Sequence, residues 1–239
     1  MTATRAGDLA LAQDGTDRLC IDTIRTLAMD AVQQANSGHP GTPMAMAPVA
    51  YCLWQRFLRF DPEETVEAWR VIMQLRHEPV ALVLSRQPLP TFDRARYAPA
   101  SGVAQGAYVL ADRPESEPEV LLLATGSEVA LCMQAFEQLT AEGIRARVVS
   151  MPSWELFERQ PDAYRASVLP PNVTARVAVE QASVFGWSRY VGPGGEVVGM
   201  QTFGASAPLE ALRTRFGFTP EHVVRAARDA LARARRVAR

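Results

Sequence analysis

Residues 120–129 read Val-Leu-Leu-Leu-Ala-Thr-Gly-Ser-Glu-Val, and this stretch decides the fold of more than half the chain. Its first five residues form an unbroken apolar run, which is typical of a strand that is buried on both faces of a sheet. Ser127 and Glu128 suit the N-cap and the first turn of a helix, and apolar residues then recur at helical spacing up to Gly143. The stretch therefore predicts a buried strand, a tight turn and a helix of about four turns.

Working outward from this stretch, residues 106–239 show the alternation of strands and helices that characterises an α/β domain. Helical patterns or turn residues separate further apolar runs at 107–110, 146–151, 175–179 and 196–200. A last helix follows Thr219-Pro220-Glu221, which suits a helix start. We therefore predict a mostly parallel sheet with helices on both faces.

The composition is that of a globular protein rather than of a nucleic-acid-binding one. Among 239 residues, 48% are hydrophobic and the formal net charge is −1. All the basic residues other than histidine are arginine, which indicates compositional bias more than a basic surface. An arginine cluster at 233–239 suits the solvent-facing C-terminus of a helix. We predict no nucleic-acid partner.

Cysteine and histidine are too scattered to predict a metal site. The three cysteines lie in separate helical patterns, and the histidines show no close spacing that would suit zinc; these residues are Cys20, Cys52, Cys132, His39, His77 and His222. Free, buried thiols are expected. The sequence contains no membrane-spanning run and no signal-peptide core, so we expect a cytoplasmic protein without membrane contact.

The first sixty residues predict two helices joined by a shaped loop. One helix begins near Thr16 or Asp17 and ends before Ser37. Residues 37–43 contain two glycines and two prolines, which do not continue a helix. The second helix is expected to carry Pro48 in its first turn, because proline is tolerated there.

The sequence at this loop resembles the opening of transketolase. The resemblance rests on Ile-Arg-Thr-Leu-Ala-Met-Asp-Ala-Val-Gln at 24–33 and Ser-Gly-His-Pro-Gly-Thr-Pro-Met at 37–44. In that family the loop lies at the active site, where its histidine binds the sugar or handles its protons beside thiamine diphosphate. The resemblance implies this catalytic role for His39. Without the resemblance, a lone loop histidine would be solvent-exposed or would brace the loop.

From about Thr65 the sequence resembles a much later part of the same family. Residues 65–73 predict a helix and 80–84 a buried strand that ends at Ser-Arg-Gln, 85–87. They are similar to the last helix and strand of the transketolase pyrimidine domain. There the arginine contacts the substrate phosphate, which implies phosphate binding by Arg86. A guanidinium suits that task; the alternative is an arginine in solvent or paired with a carboxylate.

The rest of the chain is similar to the transketolase C-terminal domain. An extended linker is predicted at 88–104, and the similar motifs include Gly-Met-Gln-Thr-Phe-Gly-Ala-Ser-Ala-Pro at 199–208. We predict remnants of two α/β domains at 1–64 and 65–104, followed by an intact C-terminal domain at 105–239. The family order has a large gap between residues 64 and 65.

The gap removes most of the residues that hold the family's cofactors, thiamine diphosphate and magnesium. The sequence contains no Gly-Asp-Gly motif, whose aspartate binds the metal in transketolases. A bound diphosphate needs oxygen ligands around such a cation. In the C-terminal domain, Thr125-Gly126-Ser127 predicts either a helix cap or an anion site. Glu180-Gln181 and 185–187 predict packing and subunit contact.

Three hypotheses about function remain. The resemblance implies an enzyme that transfers a two-carbon ketol unit from a ketose phosphate to an aldose phosphate in the pentose phosphate pathway. Alternatively, the chain is a non-catalytic interaction or dimerisation module, or an internally deleted gene product. By this resemblance, the segments 16–60 and 65–84 are pieces of two sheets or of their covering helices that have lost most of their strands, which leaves their apolar faces uncovered. Such exposed faces favour a homo-oligomer or pairing with a transketolase-like chain.

Overall fold

The computed structural model describes residues 15–52, 62–75, 77–85, 89–113 and 117–237. The chain divides into two units, Met1–Arg59 and Phe60–Arg239. Among the described residues, none of the helices is long and apolar enough to cross a membrane. The predicted division at residues 64 and 104 stays a prediction.

The described part of the first unit is a pair of helices, α1 (Gly15–Ala35) and α2 (Gly41–Cys52). The predicted apolar stripe of α1 is half-buried at Cys20, Ile24 and Val32, and Ala47 of α2 is 1% exposed. The prediction of α1 is confirmed to within one or two residues at each end.

Helix α2 begins earlier than its proline had suggested. We predicted Pro48 in the first turn, but it lies inside the helix. Proline has no N–H to donate to the carbonyl four residues earlier, which here belongs to Met44. That carbonyl instead accepts a hydrogen bond from Arg25 Nε of α1 at 3.3 Å. The prediction was wrong because a side chain of the neighbouring helix replaces the missing backbone donor.

The second unit is built on a five-stranded sheet with the order β1-β3-β2-β4-β5. Its strands are β1 (Tyr108–Ala111), β2 (Val120–Ala124), β3 (Ala146–Ser150), β4 (Arg176–Ser183) and β5 (Glu196–Met200). β1 pairs antiparallel with β3, and the other three pairings are parallel. The predicted mostly parallel sheet is therefore confirmed.

Helices cover both faces of this sheet. They are α3 (Pro62–Gln74), α4 (Glu128–Ala141), α5 (Trp154–Glu158), α6 (Asp162–Val168), α7 (Ser188–Val191), α8 (Leu209–Phe216) and α9 (Pro220–Val237), with a 3-10 helix at Ala100–Gln105. Successive residues of β2 face opposite layers, as side chains of a strand must. Leu122 packs with residues of α4 and α9, whereas Leu121 and Leu123 pack with residues of α5, α6 and α7.

The first residues of α9 confirm the predicted helix start. Thr219 Oγ1 accepts a hydrogen bond from the His222 backbone N–H at 3.3 Å, which satisfies one of the free donors at a helix N-terminus. Near the other end of α9, Arg233 pairs with Glu196 at 2.8 Å and Arg235 with Glu119 at 3.2 Å.

Residues 80–84 do not form the predicted buried strand. The segment is neither helix nor strand, and the Val83 side chain is 89% exposed. A strand satisfies its backbone groups only through a neighbouring strand, and none of the five described strands pairs with this segment. The prediction was wrong because an apolar pattern forms a strand only where a sheet is present to receive it.

The predicted linker at 88–104 is an anchored segment in its described part. Arg94 Nε donates to Glu63 of α3 at 2.8 Å, and the Tyr97 hydroxyl donates to Glu137 of α4 at 2.7 Å. Val103 is only 5% exposed. The segment therefore joins α3 to the sheet domain through specific contacts instead of spanning a gap.

Candidate functional site

The loop that carries His39 connects α1 to α2. Asn36 ends α1 in the left-handed conformation, with φ of 47°, and Gly38 follows at φ of 116°. Asparagine and glycine tolerate positive φ best. His39 is exposed. The loop is shorter than predicted because α2 begins at Gly41, ahead of the proline at 43.

The second predicted site residue, Arg86, lies outside the described residues. Its neighbour Ser85 lies beside the turn after β2, since a Cβ added to Gly126 would be 3.5 Å from Ser85 Oγ. His39 belongs to the first unit. Both roles therefore stay predictions.

A concavity of the described second unit lies at the carboxyl ends of the parallel strands. The helix after β2, α4, packs on one face of the sheet, whereas the helix after the adjacent β4, α7, packs on the other. This arrangement makes a topological switch point, which is where open α/β sheets bind ligands. A cavity of about 920 Å³ opens there, between the strand ends and the segments 64–75 and 78–85. We call this cavity the crevice.

Two glutamates lie at the polar end of the crevice. Glu128, the first residue of α4, is 5% exposed, and Glu180 belongs to the adjacent strand β4. Burial raises the pKa of Glu128 to about 7; the hydrogen bond from Ser127 opposes this rise and the charge of Glu180 adds to it. The Glu128 carboxyl is thus about half protonated near neutral pH.

Ser127 lies at the predicted N-cap position of α4 but does not cap the helix with its side chain. Its hydroxyl donates to Glu128 Oε1 at 2.5 Å. A buried carboxyl therefore lies next to the helix N-terminus, where an anion would otherwise bind. We predicted either a helix cap or an anion site at Thr125-Gly126-Ser127. Ser127 occupies the N-cap position, but its side chain does not cap the helix. The adjacent carboxyls of Glu128 and Glu180 disfavour a phosphate at this position.

Polar contacts fix the outer wall of the crevice to the sheet domain. Glu78 accepts two hydrogen bonds from Arg159, at 3.0 and 2.9 Å, and this pairing lowers the pKa of the Glu78 carboxyl. The Tyr108 hydroxyl donates to Glu64 of α3, and burial raises the pKa of that hydroxyl. The segments 64–75 and 78–85 are thereby held over the strand ends.

The described residues do not fit a diphosphate cofactor with its metal. They contain no group of three His, Cys, Asp or Glu side chains placed to hold a metal ion. Among the described residues, those that line the crevice include five glutamates, Glu64, Glu78, Glu128, Glu155 and Glu180, and one arginine, Arg159. Carboxylates at this density repel a diphosphate.

The pairing of Glu128 with Glu180 was missed in the sequence. We assigned Glu128 to a favourable first turn and Glu180 to packing. Both follow apolar runs that form neighbouring strands, so a correct strand order would have placed them together. The packing role predicted for 185–187 is confirmed for Trp187, which is 1% exposed and lies 5.0 Å from Trp154 between ring centroids.

Comparison with known proteins gives two family matches. The "Transketolase, thiamine diphosphate binding domain" matches residues 16–83, and the "Transketolase-like TK C-terminal domain" matches residues 106–219. The first match runs past residue 64, where we placed the end of the first remnant.

The relatives are transketolases. The chain is 49% identical to the transketolase of Geobacillus stearothermophilus over 69% of this chain and 25% of that protein. It is 50% identical to transketolase 1 of Escherichia coli over 72% of this chain and 26% of that protein. The chain thus spans about a quarter of the length of these curated relatives.

The solved structures that resemble this chain include further transketolases. The transketolase of Leishmania mexicana matches with a TM-score of 0.66 and 42% identity, over 73% of this chain and 25% of that one. The Pichia stipitis enzyme in complex with sedoheptulose 7-phosphate matches with a TM-score of 0.65 and 34% identity, over 73% of this chain and 24% of that one. With both family matches and these relatives, the chain belongs to the transketolase family.

Proposed function

We propose that this chain takes part in the transfer of a two-carbon ketol unit between sugar phosphates, as one component of an assembly. In this proposal, a transketolase-type partner supplies the site for thiamine diphosphate and magnesium. The observation that carries it is the contrast between a well-packed C-terminal domain and the lack of a metal-ligand group among the described residues. The chemistry is the pentose phosphate reaction of the family.

Exposed apolar side chains support an assembly. On α3, Val66 is 49% exposed, Trp69 44% and Met73 72%. Large apolar side chains clustered in this way favour a protein interface. The partner is a transketolase-type chain or a second copy of this one. The buried free thiol of Cys132 supports a reducing, cytoplasmic setting.

His39 and Arg86 are the residues that we propose to contact the substrate. An exposed imidazole on a short loop between two helices is free to meet a sugar bound elsewhere in the assembly. The guanidinium of Arg86 suits a sugar phosphate because its planar fork matches phosphate oxygens. Both assignments rest on the family motifs around them.

The test is a complementation assay. The partner is a full-length transketolase in which the histidine of the matching Ser-Gly-His-Pro-Gly loop is replaced by alanine, with thiamine diphosphate and magnesium present. We expect no turnover of sedoheptulose 7-phosphate and an aldose phosphate by this chain alone. Adding the chain to this alanine variant of the partner should restore turnover.

Two variants make the assay specific for His39. His39→Ala should abolish the restoration, whereas His77→Ala, which removes an exposed histidine outside the loop, should leave it unchanged. A complex that forms on size-exclusion chromatography without restored turnover would disprove the catalytic contribution. Turnover by the chain alone would instead show a complete enzyme.

A second candidate is an internally deleted gene product without activity. The observation that favours it is the exposed apolar segment at 80–84, which lacks the sheet that its sequence suits. Limited proteolysis separates the two candidates. A deleted product should lose its first 85 residues rapidly even when the partner is present, whereas a component of an assembly should be protected by the partner.

A further inference from the structure

Helix α3 carries a row of exposed apolar side chains, which we call the α3 stripe. The helix packs on the second unit through Thr65, which is buried, and Ala68, which contacts the core. Val66, Trp69 and Met73 lie on another side of the helix and stay exposed. Spacings of three and four residues place these three side chains in one row. An exposed apolar row of this kind marks a contact surface.

Two side chains of opposite charge lie along one flank of the α3 stripe. Glu63 and Arg70 are seven residues apart, close to two helical turns, so they lie on the same side of the helix. Their side chains are 48% and 66% exposed. Glu63 pairs with Arg94, and Arg70 with Glu67. A carboxylate accepts several hydrogen bonds and a guanidinium has five donors, so each group has the capacity for a further contact.

The α3 stripe and its flank are complementary to a second copy of the same helix that runs antiparallel. A twofold axis between Val66 and Trp69 brings Val66 of one copy opposite Trp69 of the other. Because this axis is perpendicular to both helices, the charged flanks of the two copies face each other. Glu63 of one copy then lies within about 3 Å, measured along the helix, of Arg70 of the other. The symmetry forms this pair of opposite charges twice.

We propose that two copies of this chain associate through α3, as an antiparallel helix pair related by a twofold axis. The helix has 13 residues, so the contact is about 20 Å long and about 10 Å wide. This is less than the about 800 Å² per partner of a standard interface, and we expect a weak dimer with a Kd of about 10–100 μM. The inference rests on the proposed function for the expectation of an assembly, and it names the occupant of the α3 face.

The first experiment is sedimentation velocity of the full chain between about 5 and 200 μM, with a reducing agent present to prevent disulfides between copies. The mass should rise from that of one 26.2 kDa chain toward that of two. Trp69→Ala and Met73→Ser should each raise the Kd at least about tenfold. Phe203→Ala is the matched control, because it removes a fully exposed apolar side chain outside α3, and it should leave the Kd unchanged. Far-UV circular dichroism verifies that each variant is folded.

A charge exchange tests the antiparallel arrangement itself. Glu63→Arg places arginines at both positions of the charged pair, and Arg70→Glu places glutamates there, so each variant alone should associate at least about tenfold more weakly than the parent chain. In an equimolar mixture of the two variants, an arginine faces a glutamate at both contacts. The mixture should therefore form a heterodimer about as tightly as the parent forms its dimer. A parallel helix pair does not bring Glu63 next to Arg70 and predicts no such recovery.

A parent chain that stays monomeric up to about 200 μM overturns the proposal. So does an unchanged Kd in both Trp69→Ala and Met73→Ser, or a mixture that associates no more tightly than its two components. These measurements involve neither a transketolase partner nor turnover. A monomeric chain that restores turnover in the complementation assay would refute this contact and support the proposed function, whereas a dimer that fails to restore turnover would do the reverse.

Discussion

Replacing Glu128 by glutamine should stabilise the second unit at pH 8 and change its stability little at pH 4.5. The ordinary pKa of this carboxyl is 4.5, and burial raises it to about 7 in the folded chain. At pH 4.5 burial carries only a small ionisation penalty, because the folded carboxyl is protonated and the unfolded one is still about half protonated. As the pH rises toward 7, the unfolded chain releases the proton and the folded chain keeps it, so the free energy of unfolding falls.

The size of this effect follows from the two pKa values. The difference between 4.5 and about 7 corresponds to about 3 kcal/mol at pH 8, where the carboxyl is ionised in both states. Glutamine carries no charge, and its Oε1 still accepts the hydrogen bond from Ser127. In a unit of this size, we expect Glu128→Gln to raise the Tm at pH 8 by about 6 to 12 °C.

The assay is thermal unfolding followed by near-ultraviolet circular dichroism at pH 4.5, 6 and 8. The control is Glu221→Gln, which removes an exposed carboxyl from the first turn of α9 and should shift Tm little at any of these pH values. Equal Tm values for Glu128→Gln and the parent chain at pH 8 would refute the reasoning. So would a stabilisation of the same size at pH 4.5.

Three further changes test the packing that positions the crevice. Leu122→Ala, at a fully buried position of β2, should lower the free energy of unfolding by about 2–5 kcal/mol in a urea titration, and an unchanged midpoint would contradict the assigned core. Gly106→Ala should destabilise by at least about 2 kcal/mol in the same titration, because Gly106 has φ of 81° and a Cβ there would collide with the backbone of Ser153 and Phe157; a midpoint within error of the parent would rule this out. Arg159→Ala should release the segment at 77–85, which is held by Glu78, and hydrogen exchange there should become faster; equal exchange in both chains would show that the ion pair does not hold it.

The sheet domain was predictable because each strand is a local apolar run, and because the strands that pair with it lie in the same part of the chain. The runs at 120–124 and 146–150 pair directly in the structure, and a change of period after Glu128 identifies α4. The order of the strands was not predictable. It depends on which helices cover which face, and no short stretch of sequence encodes that choice.

The errors in the first half have a common physical cause. Residues 80–84 have the composition of a strand, yet Val83 is 89% exposed, since strand pairing is a non-local interaction. Pro48 was misplaced because Arg25 of another helix satisfies the Met44 carbonyl. In both cases the outcome depends on a group that is distant in the sequence, a pairing strand or the side chain of another helix, and the local pattern does not encode that group.

The same reasoning explains why the candidate site lay outside what the motifs suggested. Family motifs identified His39 and Arg86, whose proposed roles depend on a sugar phosphate and on the partner that the proposed function requires. The crevice depends only on residues within one unit, where parallel strands bring Glu128 and Glu180 to the same edge. The stability of the Glu128→Gln variant tests this arrangement within the second unit, whereas the complementation assay tests the role of His39, so the two ideas stand or fall separately.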